Sequence, residues 1–199
     1  MADPAALTQL IREKLDDTRY GHSLAVAGSA RELALRCGAD PEAAYCAGLV
    51  HDIMKCTERQ TQLQVIADTG IVLTACEQSN PNLWHAIAGE AFLRGENIIT
   101  DEAVLSAVRY HTTGRAGMTL LEKIIFLADF ISADRSYPDL GLVREKAAGS
   151  LEEAILYTLE YNIPKWVERR EPIHPDSIAL YNECLSDCET QPDSVESEV

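Results

Sequence analysis

The chain has 199 residues, of which 46% are hydrophobic and 25% charged, an ordinary globular composition with enough apolar side chain to bury one sizeable core. Its formal charge is −15 and its pI about 4.6. That excess of acid argues against a polynucleotide or an anionic membrane surface as partner, and it requires any phosphate ligand to be met by a local cluster of cations.

Helix start signals recur along the chain, and no Val/Ile/Thr-rich alternation of any length interrupts them, so the expected fold is all-α. Asp3 and Pro4 open a first helix as N-cap and first-turn proline. A second runs from about Thr18 to Cys37 and stops at Gly38. Asp40 and Pro41 repeat the start signal for a third helix, which ends in the stretch AGLVHDIMK. Thr57 with Gln60 predicts a capping box for a fourth. Asn80 and Pro81 start another, through about Arg94, and Thr100 begins one that ends near His111. Thr119 with Glu122 caps a helix through Ser132, Ser150 with Glu153 caps a later one, and Pro175 opens the last. One domain is expected over residues 1–185, followed by an acidic, disordered tail over 186–199.

Cysteines stand at 37, 46, 56, 76, 184 and 188 with no C-x-x-C pair, which reads as free thiols in a reducing compartment. The N-terminus lacks a basic segment followed by an apolar block, and the longest apolar run is far short of a membrane span. A cytoplasmic protein is the expectation.

Six polar residues in or beside apolar helical sequence need a joint explanation. His22 lies early in the second helix, His51 and Asp52 end the third, His85 sits one turn into its helix, His111 closes another, and Asp129 is inside IIFLADFIS. A buried carboxylate is costly unless it is paired or bound to a cation. Imidazoles and carboxylates without thiolates suit iron, manganese or zinc and argue against a structural cysteine-type zinc site. Lys55, one turn past His51, can reach the same ligand. Thr112, Thr113 and Gly114 follow a helix end and can offer hydroxyls and N–H groups to an anion. Arg135 is a candidate phosphate fork.

With these residues in place the sequence resembles a known family. His22, His51-Asp52 and Asp129 fit the HD-domain phosphohydrolase pattern. YHTTGR at 110–115, LLEKIIFLADFI at 120–131, RSYP at 135–138 and IHP with YN at 173–182 resemble the YqeK family of symmetrical bis(5′-nucleosyl)-tetraphosphatases, over roughly residues 10–185. The resemblance implies an all-α HD-domain bundle that hydrolyses diadenosine tetraphosphate into two ADP, with a metal-activated water attacking an inner phosphate. It implies a primary ion, iron before manganese, cobalt or zinc, held by His22, His51, Asp52 and Asp129. His85 and His111 either hold a second ion with Asp52 bridging or face the substrate phosphates.

Catalytic roles then fall to Asp52, Lys55, His85 and His111. Substrate contacts fall to His22, Lys55, His85, His111, Thr112, Thr113, Arg115, Asp129 and Arg135, and to Ile173, His174 and Pro175 of EPIHPDSI. A homodimer is compatible with this reading, and nucleic acid and membrane are not expected partners. Two rival readings keep the same fold. One is an HD-type phosphohydrolase acting on a deoxynucleotide or an alarmone, and the other is a non-catalytic nucleotide-binding regulator.

Overall fold

The computed structural model describes residues 3–190, with residues 189 and 190 by backbone alone. Among the described residues there are α-helices, one short 3-10 turn and no strand. The helices are α1 (Pro4–Lys14), α2 (Asp17–Cys37), α3 (Pro41–Val50), α4 (Arg59–Asp68), α5 (Ala75–Ser79), α6 (Trp84–Gly95), α7 (Glu102–Tyr110), α8 (Leu120–Ile131), α9 (Leu140–Gly149), α10 (Leu151–Glu168) and α11 (Pro175–Thr190). No helix is long and apolar enough to cross a membrane.

The centre of the bundle is a seam of small side chains. Ala27, Ala30 and Ala34 of α2 are fully buried beside a third helix whose Ala44, Ala47, Leu49 and Val50 are also fully buried. Small residues let two helix backbones approach closely, and here Gly48 lies directly against the backbone of Ala27. The apolar face of α8, Ile124, Ile125, Leu127 and Ala128, closes the other side of α2. Helix α7 packs between α3, α6 and α8, while α10 backs α8 and carries α9 and α11. Each large aliphatic side chain buried this way stabilises the fold by about 1.5–3 kcal/mol. The polar ends of α3, α7 and α8 are thereby pressed together at one place beside α2.

Most start signals act as read, since Asp3 and Asp40 accept from the first-turn N–H groups of α1 and α3. The Thr119–Glu122 box of α8 is complete, with both reciprocal bonds formed. Three expectations are corrected. The Thr57–Gln60 box does not form: Glu58 is the N-cap of α4 and makes no side-chain cap bond, while the Thr57 hydroxyl donates to Met54 Sδ at 3.6 Å. Asp101, not Thr100, caps α7, its carboxylate accepting from Ala103 N. The Asn80–Pro81 signal starts the 3-10 turn Pro81–Leu83, and α6 follows from Trp84. Helix α11 runs from Pro175 to Thr190. Residues 191–199 of the expected tail lie outside the described residues. Helices α5 and α9 were not expected at all; α9 follows Asp139, whose side chain caps nothing.

Candidate metal centre and active site

Six segments converge on one place. Helix α2 supplies His22, the turn after α3 supplies His51, Asp52 and Lys55, and α6 supplies His85. The end of α7 supplies His111 and Thr112, α8 supplies Asp129, and the loop after α8 supplies Asp134 and Arg135. The imidazoles of His22, His51, His111 and His85 meet edge to face in that order, with ring centroids 5.3, 5.0 and 5.1 Å apart. All four histidines and Asp52 are buried.

Hydrogen bonds on the outer ring nitrogens decide which nitrogens face inward. His51 Nδ1 lies 2.7 Å from the Gly48 carbonyl and His111 Nδ1 lies 2.7 Å from the Val108 carbonyl. A carbonyl only accepts, so both rings donate through Nδ1–H and present the Nε2 lone pair to the cavity. His22 Nδ1 lies 2.8 Å from Asp134 Oδ2, again leaving Nε2 inward, 2.9 Å from Asp129 Oδ1. The inward His51 Nε2 is buried and has no hydrogen-bond partner. An orphaned lone pair beside carboxylates fits a cation. Two overlapping groups, His22 with His51 and Asp129, and His51 with Asp52 and His111, bring their ligand atoms within 4.8 Å of one another. Nitrogen and carboxylate oxygen donors without thiolate suit iron, manganese, cobalt or zinc.

On the other side, Asp52 Oδ1 accepts from His85 Nε2 at 3.1 Å, and that same nitrogen lies 3.2 Å from Lys55 Nζ and from His111 Nε2. Asp52 Oδ2 accepts from Arg19 Nη1 at 3.1 Å. Thr112 Oγ1 is 3.1 Å from His111 Nε2, so its hydroxyl can donate to that lone pair. Arg135 donates to the carboxylate and the main-chain carbonyl of Asp129. Three cationic side chains, Arg19, Lys55 and Arg135, therefore surround a centre whose inward carboxylates are Asp52 and Asp129, with Asp134 behind His22.

The electrostatics follow from burial among these partners. Burial lowers the His51 pKa to about 4, against a smaller opposing pull from Asp52. It lowers His85 as well, opposed by the bond to Asp52. Burial alone would raise Asp52, yet the surrounding imidazoles hold it well below the usual carboxylate range. Asp129 is likewise pulled down, by His22 above all, against its burial. His22 is raised, because the bonds to Asp129 and Asp134 outweigh its burial.

A pH dependence follows for the metal-free protein. His51 is depressed in the fold, so its contribution to stability is fully present above pH 6.5 and is lost as pH falls toward about 4. Between pH 7 and 5 that loss is roughly 2 kcal/mol from His51, joined by His85 and opposed by His22, whose raised pKa acts in the opposite sense. Urea unfolding of chelator-treated protein checks it; equal stability at the two pH values would contradict the assignment.

Nine of the residues expected from sequence are brought together here: His22, His51, Asp52, Lys55, His85, His111, Thr112, Asp129 and Arg135. The others are not. Arg115 turns away, its guanidinium held by both oxygens of the buried Glu122, 2.9 and 3.0 Å away. Thr113 is buried with its hydroxyl donating to Gly114 O, and its own carbonyl accepts from Ser177 Oγ. His174 is buried in a neighbouring cavity with Asn80, Asn82, Trp166 and Ser177, which adjoins the centre through Thr112. Ile173 and Pro175 flank His174, Pro175 as the first residue of α11. Sequence reasoning missed Arg19 and Asp134. For Arg19 a signal was present: it lies three residues before His22, hence on the same face of α2.

The chain is similar to known proteins over nearly its whole length. The HD domain family model matches residues 19–134, from Arg19 to Asp134. A Bacillus subtilis protein named symmetrical bis(5′-nucleosyl)-tetraphosphatase is 36% identical over 88% of this chain and 94% of its own length. One of the same name from Halalkalibacterium halodurans is 38% identical over 89% of this chain and 94% of its own length. A crystal structure from Clostridium acetobutylicum, described as a predicted HD superfamily hydrolase involved in NAD metabolism, has a TM-score of 0.90 and 33% identity, over 94% of this chain and 99% of that one. On this sequence, fold and constellation, the chain belongs to the HD-domain family and, within it, to the family of the symmetrical bis(5′-nucleosyl)-tetraphosphatases.

Proposed function

We propose that the protein hydrolyses diadenosine tetraphosphate symmetrically to two ADP in the cytoplasm, at a divalent ion, iron first, held by His22, His51, Asp52 and Asp129. The observation that carries this is the buried, partnerless His51 Nε2 within a set of inward imidazole and carboxylate atoms. The relatives' shared name supplies the substrate.

A divalent cation bound there neutralises phosphate charge and supplies a water of lowered pKa near the bond to be broken. The chain's own groups do the rest. A tetraphosphate bridge is strongly anionic and the protein carries −15, so binding needs the local cations Arg19, Lys55 and Arg135. Arg19 donates one N–H to Asp52, and a guanidinium has five, so donors remain for phosphate oxygens. His85, its pKa lowered by burial, is the neutral imidazole whose Nε2–H points to Asp52 and can donate a hydrogen bond to a phosphate oxygen on which charge builds up. Lys55 Nζ, 3.2 Å from that nitrogen, adds positive charge where negative charge builds up. Phosphoryl transfer asks mainly for positioning and charge stabilisation, which is what this arrangement offers.

Product analysis on diadenosine tetraphosphate tests the proposal, with iron or manganese added and a chelator control. Two ADP, lost on chelation, is the expected result. AMP with ATP would break the assignment of symmetry, and no turnover would return the choice to another nucleotide at the same site.

A further inference from the structure

His22 differs from the other inward imidazoles in how its outer nitrogen is held. His51 and His111 each stand one residue past a helix, where the carbonyl three residues back lies within reach of Nδ1. His22 lies inside α2, where the preceding carbonyls are taken by the helix's own ladder. Its Nδ1 must find an acceptor from elsewhere, and finds Asp134 Oδ2 at 2.8 Å. Asp134 is itself anchored, since its Oδ1 accepts from Ser132 Oγ at 2.7 Å. Ser132 is fully buried at the end of α8, and its carbonyl accepts from Arg144 Nη2 at 2.9 Å and from Arg135 N at 3.0 Å. Two carboxylates five residues apart thus grip the two nitrogens of one ring, Asp129 from inside and Asp134 from outside.

We propose that Asp134 is a positioning residue for the metal centre: its carboxylate holds His22 in the Nδ1–H tautomer, with the Nε2 lone pair directed at the cavity shared with His51 and Asp129. The inference rests on the metal reading above. A carboxylate behind a ligating imidazole fixes ring orientation and raises its basicity, and losing such a partner costs about 10–100-fold in metal affinity. Of the three inward rings, His22 alone has a charged outer partner; His51 and His111 have neutral carbonyls. Asp134 therefore acts through His22.

Cobalt(II) binding to the full chain, measured by competition with a chromophoric chelator, tests this in wild type, Asp134→Ala and Asp134→Asn. The alanine variant is expected to bind cobalt about 10–100-fold more weakly. The asparagine variant is expected to fall between it and wild type, because its carbonyl oxygen still accepts from Nδ1–H but carries no charge. If Asp134→Ala fails to fold, Asp134→Asn decides by the same criterion. Wild-type cobalt affinity in the variants overturns the assignment, and so does a raised KM at saturating cobalt with unchanged cobalt affinity, which would put Asp134 against the substrate. A wild-type chain that binds no cobalt would overturn the metal reading itself.

Discussion

Asp52→Ala is expected to abolish both metal retention and hydrolysis while helical content stays near wild type. The Asp52 carboxylate is 4% exposed and lies within 3.1 Å of His85 Nε2 and 3.6 Å of His51 Nε2 and His111 Nε2. It belongs to the donor set whether the centre holds one ion or two, so the variant loses charge where the ion needs it. Several kcal/mol of transition-state stabilisation leave with the ion, a rate loss of at least about 10³-fold. The fold is spared because the side chain points into the site, while its neighbours Val50 and Ile53 fill the core. Arg19, left without its partner, is 36% exposed and can turn to water. Metal analysis, turnover and circular dichroism on one preparation check all three parts. A variant that keeps its metal and turns over at the wild-type rate would defeat the mechanism.

The second large effect is structural. A Cβ at Gly48 would lie 2.7 Å from Ala27 Cα and 2.9 Å from Ala27 N, contacts with rigid backbone that no rotamer relieves. Gly48→Ala must push α3 away from α2, and overpacking of this kind costs about 3 kcal/mol. The displacement also reaches the site, because the Gly48 carbonyl holds His51 Nδ1 at 2.7 Å. Gly28→Ala is the control on the facing helix: nothing lies within 4 Å of its Cβ, and helix propensity favours alanine there by about 0.5–1 kcal/mol. Urea unfolding should therefore move the two variants in opposite directions. A Gly48→Ala midpoint equal to wild type would mean that the two helices are not in backbone contact.

Arg115 and Arg135 show where reading along the chain stops. Both look like free phosphate-binding arginines in sequence, and both are engaged in the fold, Arg115 by Glu122 and Arg135 by Asp129. Glu122 was legible as half of a capping box; that it also holds Arg115 depends on the turn after α7 folding back over α8. Asp134 reads as a loop acid until α2 places the His22 ring 2.8 Å from it.

The sequence by itself determined the all-α class and most helix starts, and it named the candidate residues of the site. Caps act through bonds two or three residues away, and a histidine or aspartate stranded in apolar helix already implies a partner. Only the tertiary structure decided which of those groups meet, which nitrogen of each ring faces inward, and which arginines stay beside the centre. Those outcomes depend on acceptors from helices distant in sequence, brought within hydrogen-bond range by the close packing of α2, α3 and α8.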